Sequence, residues 1–509
     1  MRILYIDVDS LRPDHLGCYG YHRDTSPTID RLAAEGTRFT EYYAADVPCL
    51  PSRTGLFHSR FGIHTGAVNH GGINADVRPR GARRGFNTGG DPYRTLPTVL
   101  RDAGHYTTFV SPFPQRHGTW HTVDGFDQWI DTGGNGSERA EVVTPYALDW
   151  LDDHAAEEDW YLHVNVWDPH TPYDTPSEYG NPFADDPASD WPDQETIEAH
   201  YASYGPHSAH EPHAWGGGSD LERTPDEIAD REDFAQWIDG YDVGIRYADD
   251  HIAKIIDRLA DLGVLEETLI VISADHGENQ GELNVYGDHQ TADAITCRVP
   301  LIMRGPGIDE GVVDAFQYQI DFAPTIAELV DGTIPDGWDG ESFAPAVTGG
   351  SHDGRDYLVV SQGAWACQRA VRWEDWLLIR SYHDGLKSFA PVELYDLATD
   401  PHETTNLARD HRDAVMTGLG YLESWVSDRL REAATDEAGG NADAPRTLVD
   451  PLFEVIHEGG PYHARADQQL PHYADRLRET GREEHAAFLE RTEGVVSLDP
   501  VAYLDGDSR

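Results

Sequence analysis

Short apolar runs alternate with helical patterns along this chain, and no other feature of the sequence narrows the fold as much. Ile3–Val8, Tyr106–Val110, Tyr161–Val166, Leu269–Ala274 and Leu301–Met303 read as strands. Pro27–Glu35, with Gly36 as a stop, and Leu96–Ala103, with Gly104 after it, read as helices. Tyr241–Leu262 is the strongest helix, since Ile245, Ala248, Ile252, Ile255, Ile256 and Leu259 fall on one stripe before Gly263. Strands alternating with helices predict an α/β sandwich on a large, mostly parallel sheet. In such sheets chemistry gathers at the carboxyl ends of the strands.

Residues 174–232 break the rhythm. They are rich in Pro, Gly, Asp and His, as in "PHSAHEPHAWGGGSD". A stretch this long without structure of its own is either disordered or a lid-like insertion. From about Gly350 the texture changes, and "RAVRWEDWLLIRSYH" and "VELYDL" read as strands of a second unit. The expected division is a catalytic α/β part at 1–349 and a smaller C-terminal α+β subdomain at 350–509. The tail after about Ala434 is polar, acidic and without a clear period. No internal repeat is visible.

The 509 residues suffice for a large core. They carry 91 Asp+Glu against 38 Lys+Arg, a formal net charge of −53. Lys254 and Lys387 are the sole lysines, so arginine supplies the positive charge. A chain this acidic repels itself in dilute buffer, and concentrated salt screens the repulsion. The composition resembles that of haloarchaeal proteins, and its acids are spread among Trp, Tyr and Ile rather than confined to a tail. It argues against nucleic acid or anionic membranes as partners. Cys18, Cys49, Cys297 and Cys367 form no C-x-x-C pair, which disfavours a zinc site or disulfide framework. "MRILYIDVDSL" runs straight into a strand without a leader pattern, and no stretch is long and apolar enough to span a membrane. A cytoplasmic protein is expected.

Asp9 ends the first strand and Asp275 ends "TLIVISADHGE". Carboxylates at adjacent strand ends can converge on one cation, with His276 adding an imidazole. The ordinary alternative for each aspartate is a helix cap. In "DVPCLPSRTGLFHSR", Pro51 is placed like a first-turn proline, so a helix starts near Cys49. Cys49 then meets the positive end of the helix dipole, and Arg53 adds a fixed cation one turn on.

"CLPSRTGLFHSR" resembles the sulfatase signature C-x-P-S-R. "DSLRPDHLGCYGY" and "ISADHGE" resemble that family's two metal loops, "VWDPHTPYD" its P-H-x-P-Y segment, and "RVPLIMRGPG" and "ELYDLATDPHETTNLA" its later strand and C-terminal motif. The resemblance covers roughly residues 1–408. It implies an alkaline-phosphatase-like fold and metal-dependent hydrolysis of a sulfate ester, perhaps of a carbohydrate. It further implies that a separate formylglycine-generating enzyme oxidises Cys49 to formylglycine. The hydrated aldehyde would attack sulfur through one hydroxyl and expel sulfate through the other.

The implied metal ligands are Asp9, Asp275, His276 and Cys49, holding one divalent ion, calcium by family. Ser10 stands where most sulfatases carry a second Asp, and His276 where many carry Asn. Fewer carboxylates and an imidazole lean toward manganese or another transition ion. Asp7, one pleat behind Asp9, is left out. Arg53 would steady the modified residue, and His170 would contact sulfate or protonate the leaving oxygen. The family's two sulfate-binding lysines are missing. Arg116, His117 and His121 stand near the place of the first and His289 near the second; Arg116, His117 and His289 are taken as substitutes. Arg78, Arg80, Arg83 and Arg84 form a basic cluster after the signature helix. It either touches a second anionic group of the substrate or pairs with surrounding acids. Two rival functions remain at this point. One is a phosphonate monoester or phosphodiester hydrolase on the same fold, although Ser52 stands where those enzymes usually carry Ala. The other is a silent anion-binding protein with Cys49 unconverted.

Overall fold

Arg2–Val8 (β1) carries Ile3, Leu4, Tyr5, Ile6 and Val8, all fully buried, because both faces of this strand are covered. In the computed structural model, which describes residues 1–81, 93–134, 136–214, 221–435, 449–496 and 499–506, β1 lies inside an eight-stranded sheet. The others are Thr37–Phe39 (β2), Tyr106–Val110 (β3), Gln128–Ile130 (β4), Trp160–Val166 (β5), Thr268–Ser273 (β6), Leu301–Arg304 (β7) and Gly311–Val313 (β8). Their order is β8-β2-β7-β6-β1-β5-β3-β4. Neighbouring strands run parallel except at β7, which runs against both β6 and β2. This is the expected α/β sandwich.

The register decides where the site forms. Asp7 of β1 pairs with Asn165 of β5 and Ser273 of β6, so the three strands end level with one another. The segments that follow carry Asp9, Asp168-Pro169-His170 and Asp275-His276, and they leave the sheet at one place.

The long helix is Arg231–Asp261, starting ten residues before its periodicity predicts. Its apolar stripe is buried as expected. Asp239 and Gly240 interrupt the pattern, yet Phe234, Trp237 and Ile238 before them are buried, and the Asp230 side chain caps the true start. Gly244 is needed where it stands, since a Cβ there would lie 2.9 Å from Pro169 Cβ. The helix thereby approaches the loop that carries His170.

The described part of 174–232 is not structureless. Gln194–Tyr201 is a helix capped by Asp193, and Ile197, Ala209 and Ile228 are fully buried. Arg223 donates to the carbonyl oxygens of Thr175, Pro176 and Gly180 and so gathers the segment. Single buried residues at irregular spacing anchor it, which leaves no periodic signal.

The second sheet has the order Val392–Asp396, Trp376–His383, Cys367–Trp373, Tyr357–Gln362, Asp46–Val47. Its outermost strand comes from the N-terminal part, pairs parallel with Ser361 and Gln362, and ends two residues before Cys49. The tail is also more ordered than its composition suggests. Pro451–His457, Gln469–Glu479 and Glu483–Thr492 are helices, and the latter two share a small core of Leu470, Tyr473, Leu477 and Leu489 with Tyr204 and Leu386. Segments this short show only two or three turns of a stripe. Among the described residues, no helix is long and apolar enough to cross a membrane.

Candidate active site

The helix Cys49–His58 begins at Cys49 and is wholly buried. Its placement is fixed by Ser52, whose Oγ lies 2.6 Å from the Asp275 carbonyl oxygen and 2.8 Å from Gln319 Oε1. One turn in, the fully buried Arg53 spreads its guanidinium across the strand ends. Nε donates to Asp7 Oδ2 at 2.8 Å, Nη1 to Asp275 Oδ2 at 2.6 Å and Nη2 to Asp9 Oδ2 at 3.1 Å. The Phe113 ring lies 4.4 Å from the same guanidinium.

Asp9, Cys49, Asp275 and His276 each offer one ligand atom, all within 4.8 Å of one another. Cys49 Sγ is 3.1 Å from His276 Nε2, which is 3.3 Å from Asp275 Oδ2 and 3.9 Å from Asp9 Oδ1. His276 Nδ1 donates to the Gly277 carbonyl oxygen at 2.8 Å, which leaves the Nε2 lone pair facing the other donors. Three carboxylates around one guanidinium also leave excess negative charge in a buried place, which is costly without a further cation. Burial and Asp9 accordingly push the Asp275 carboxyl up against the pull of Arg53. Burial opposes ionisation of Asp7 as well, but Arg53 and His163 hold its carboxyl below the usual range. Oxygen, nitrogen and sulfur donors converging on an electron-rich site fit a divalent ion, which these four residues could hold. Burial, Asp9 and Asp275 push the Cys49 thiol well up. That push makes an unmodified thiol without a cation beside it a poor nucleophile.

The other side of Cys49 is built from loops. Arg116 lies with its guanidinium 3.8 Å from the Trp167 ring centre, and His170 stacks on the same indole at 3.9 Å. His289 lies 4.0 Å from the His276 ring and 5.3 Å from His170. The Cys49, His170 and His289 ligand atoms form one close group, and those of Cys49, His70 and His117 form another. Among the described residues, Arg116 Nη1, His70 Nε2, His117 Nε2, His170 Nε2 and His289 Nδ1 are buried without a hydrogen-bond partner. Burial holds all four imidazoles well below the ordinary range, so they are neutral around one guanidinium. Unpaired polar atoms in such number are rare in a finished interior and suit an anion that brings several oxygens.

The basic cluster lies elsewhere. Arg78 is paired with Glu454 at 2.8 Å, and both side chains are buried. Arg80 is paired with Asp339 and also donates to the Gly337 carbonyl oxygen at 3.0 Å. These two side chains hold the fold together rather than offering themselves to a substrate, because their buried acids already take up their charge. Arg83 and Arg84 lie outside the described residues. His121 contacts Thr54 Oγ1 at 2.9 Å on the flank of the signature helix.

Sequence reasoning missed His70, one of 26 histidines with nothing to single it out. It also gave no role to Glu278, the last residue of "ISADHGE". Its Oε1 accepts from Tyr173 Oη at 2.5 Å, and burial beside Asp288 and Asp9 pushes its carboxyl well up.

The chain matches the sulfatase family model over residues 2–333 and the model of the N-sulphoglucosamine sulphohydrolase C-terminal region over residues 281–419. It is 25% identical over 475 residues to a protein of Escherichia coli (strain K12) named uncharacterized sulfatase YidJ, covering 81% of this chain and 84% of that one. Its fold is similar to that of BT4656, solved in complex with its substrate D-glucosamine-2-N,6-O-disulfate. That match has a TM-score of 0.66 and 19% identity over 86% of this chain and 99% of that one. The fold is also similar to that of a phosphonate monoester hydrolase from Silicibacter pomeroyi, with a TM-score of 0.65 and 22% identity over 84% and 95% of the two chains. With a family model spanning most of the main sheet and its strand-end residues, the chain belongs to the sulfatase family, the sulfuric ester hydrolases of the alkaline-phosphatase-like superfamily.

Proposed function

We propose that the protein hydrolyses an organic sulfate ester, of the carbohydrate class, at the position of Cys49. The observation that carries this reading is the juxtaposition, on the two sides of Cys49 Sγ, of a carboxylate-rich donor group and a set of unpartnered nitrogens. Asp9, Asp275, His276 and residue 49 would hold one divalent ion, which supplies positive charge and makes an oxygen beside it more acidic. Converted by a maturation enzyme to formylglycine, residue 49 would supply a hydrated aldehyde, with one hydroxyl to attack sulfur and another to release sulfate. The imidazole at 276 and the single carboxylate where relatives have two favour manganese or another transition ion over calcium.

The remaining roles fall to the chain's own side chains. Arg53 keeps Asp9 and Asp275 aligned. Arg116 and His117 bind the sulfate oxygens and draw charge away from sulfur. His170 moves the proton. Its Nδ1–H is tied to the Thr171 carbonyl oxygen at 2.7 Å, so Nε2 is free to take a proton from solvent water and deliver it to the departing alkoxide. His289, whose Nδ1 also lacks a partner, faces the same space. The residues of this scheme lie within 1–349, read as the catalytic part. A carbohydrate substrate is supported by the sulfated glucosamine bound to one protein of similar fold.

A second reading, phosphonate or phosphodiester hydrolysis, draws on the Asp275-His276 arrangement and on the structural neighbour that is a phosphonate monoester hydrolase. Parallel kinetics on an aryl sulfate and a phenylphosphonate monoester separate the two. A larger kcat/KM for the sulfate supports the first reading, and a larger one for the phosphonate refutes it. The mass of the native peptide containing Cys49 then decides whether that residue is converted. Intact cysteine together with no turnover of either ester would leave an anion-binding protein.

A further inference from the structure

The C-terminal tail reaches the active site. The short turn Tyr462–Ala464 places His463 Nε2 at 2.9 Å from His70 Nδ1, with the rings nearly perpendicular at 82°. His463 is itself held in place. Its ring stacks on Trp365 at 4.3 Å and its backbone N–H donates to the Ala364 carbonyl oxygen. The segment that carries it is fastened to the second sheet and to the loop after the signature helix. Arg369 grips Asp450 through both guanidinium nitrogens, Asn74 donates to the Pro451 carbonyl oxygen, and Arg78 pairs with Glu454. Tyr462 N–H donates to Asn69 Oδ1, and a Cβ on Gly71 would lie 2.5 Å from the Tyr462 ring, so glycine is required there. Arg78, through its pair with Glu454, therefore helps clamp a segment ending at the catalytic centre.

We propose that His463 is a positioning residue: its Nε2–H donates to His70 Nδ1, which keeps the His70 proton on Nε2, facing the sulfate oxygens beside residue 49. The assignment rests on the sulfatase reading above, and its logic is tautomeric. Two neutral imidazoles meeting nitrogen to nitrogen share one proton. With that proton on His70 Nδ1, His70 Nε2 would point a lone pair at an anion. With it on His463 Nε2, His70 Nε2–H becomes a donor in a buried position that now has no partner. Burial favours the neutral form of both rings, holding His70 well below the ordinary imidazole range and His463 at about 4.

The test compares His463→Phe, which keeps the stack on Trp365 but has no nitrogen, with His463→Gln, whose amide can still donate. In the full-length protein, His463→Phe is expected to lower kcat/KM for an aryl sulfate about 10–100-fold and to weaken inhibition by inorganic sulfate to a similar degree. His463→Gln should stay within about threefold of the parent, which a donated hydrogen bond explains and a purely structural role does not. Imidazole nitrogen NMR, read without substrate, should show His70 protonated at Nε2 in the parent and in His463→Gln, and a tautomer mixture in His463→Phe. Equal losses in both variants, or a His70 tautomer unchanged in His463→Phe, would overturn the inference. Because the tautomer is observed without turnover, that arm decides it even for a protein that cleaves phosphonates and no sulfate ester.

Discussion

On one side of Cys49 the polar atoms are paired with one another; on the other they are not. Arg53 spends its three guanidinium nitrogens on Asp7, Asp9 and Asp275, and these residues sit on or beside the ends of β1 and β6. Facing them, Arg116, His70, His117, His170 and His289 keep buried nitrogens without partners. They are carried by loops and short turns and are braced by stacking on Trp167 and on one another. The first side is assembled by folding itself, since an unpaired carboxylate there would be costly. The second leaves hydrogen-bonding capacity for whatever enters. The contrast separates what the fold needs from what the reaction needs.

Asp275→Asn attacks the paired side and should have the largest effect. The asparagine oxygen can still accept from the Ser10 and His276 N–H groups, as Asp275 Oδ1 does, so the loop is preserved. The expected outcome is loss of the bound divalent ion and of at least about 10³-fold in activity, checked by metal analysis alongside kinetics. One ion per chain in this variant would place the metal elsewhere.

Arg116→Ala attacks the open side. It should cost on the order of 10²-fold in kcat/KM, the scale of one lost transition-state donor, while metal content and thermal midpoint stay put. A drop in the midpoint instead would show that the open side, too, is needed by the fold.

Arg78→Ala asks whether the clamp on the tail belongs to either side. Breaking this buried pair should destabilise by about 3 kcal/mol. With the guanidinium already engaged by Glu454, KM for a small and for a bulky sulfate ester should shift in the same proportion. A selective rise for the bulky ester would restore the substrate-binding role.

The smallest effect concerns the scaffold of the open side. Asp168, in the loop before His170, caps the helix Ala140–His154 through the Ala140 N–H, and burial together with Asp174 pushes its carboxyl up to about 7. The unfolded chain releases that proton near pH 4. The folded state therefore holds the proton more tightly between about pH 4 and 7, and stability falls as pH rises through that window. Asp168→Asn, which mimics the protonated form, should be more stable than the parent at pH 8 and almost equal to it at pH 4, measured by denaturant titration. An equal gain at both values would rule out the titration.

Where the sequence was legible, the signal was local. Apolar runs of five to seven residues marked β1, β3, β5 and β6 to within a residue, because strands covered on both faces have no polar alternation to confuse them. Pro51 beside Cys49 marked the start of the signature helix. The partners of Arg78 and Arg80 were invisible because Glu454 and Asp339 lie 376 and 259 residues further along. His463 was hidden for the same reason, nearly four hundred residues from His70 and in a tail whose helices are too short to show a period. What the residues in a site do to one another over long range is set by packing, and one-dimensional patterns do not carry it.

The strand Asp46–Val47 gives the fold an order in time. It completes the edge of a sheet whose nearest partner, Tyr357–Gln362, leaves the ribosome about 300 residues later, roughly 15–60 s at 5–20 residues per second. Until then the backbone just ahead of Cys49 lacks this strand pairing and is held by earlier contacts such as the Gly62 N–H to Asp46 Oδ2. In the finished protein the Cys49 side chain is 1% exposed, beyond the reach of any enzyme that would modify it. On the proposed conversion, a modifying enzyme would have to reach Cys49 before the C-terminal sheet arrives, and the pace of translation up to residue 357 would set the time it has.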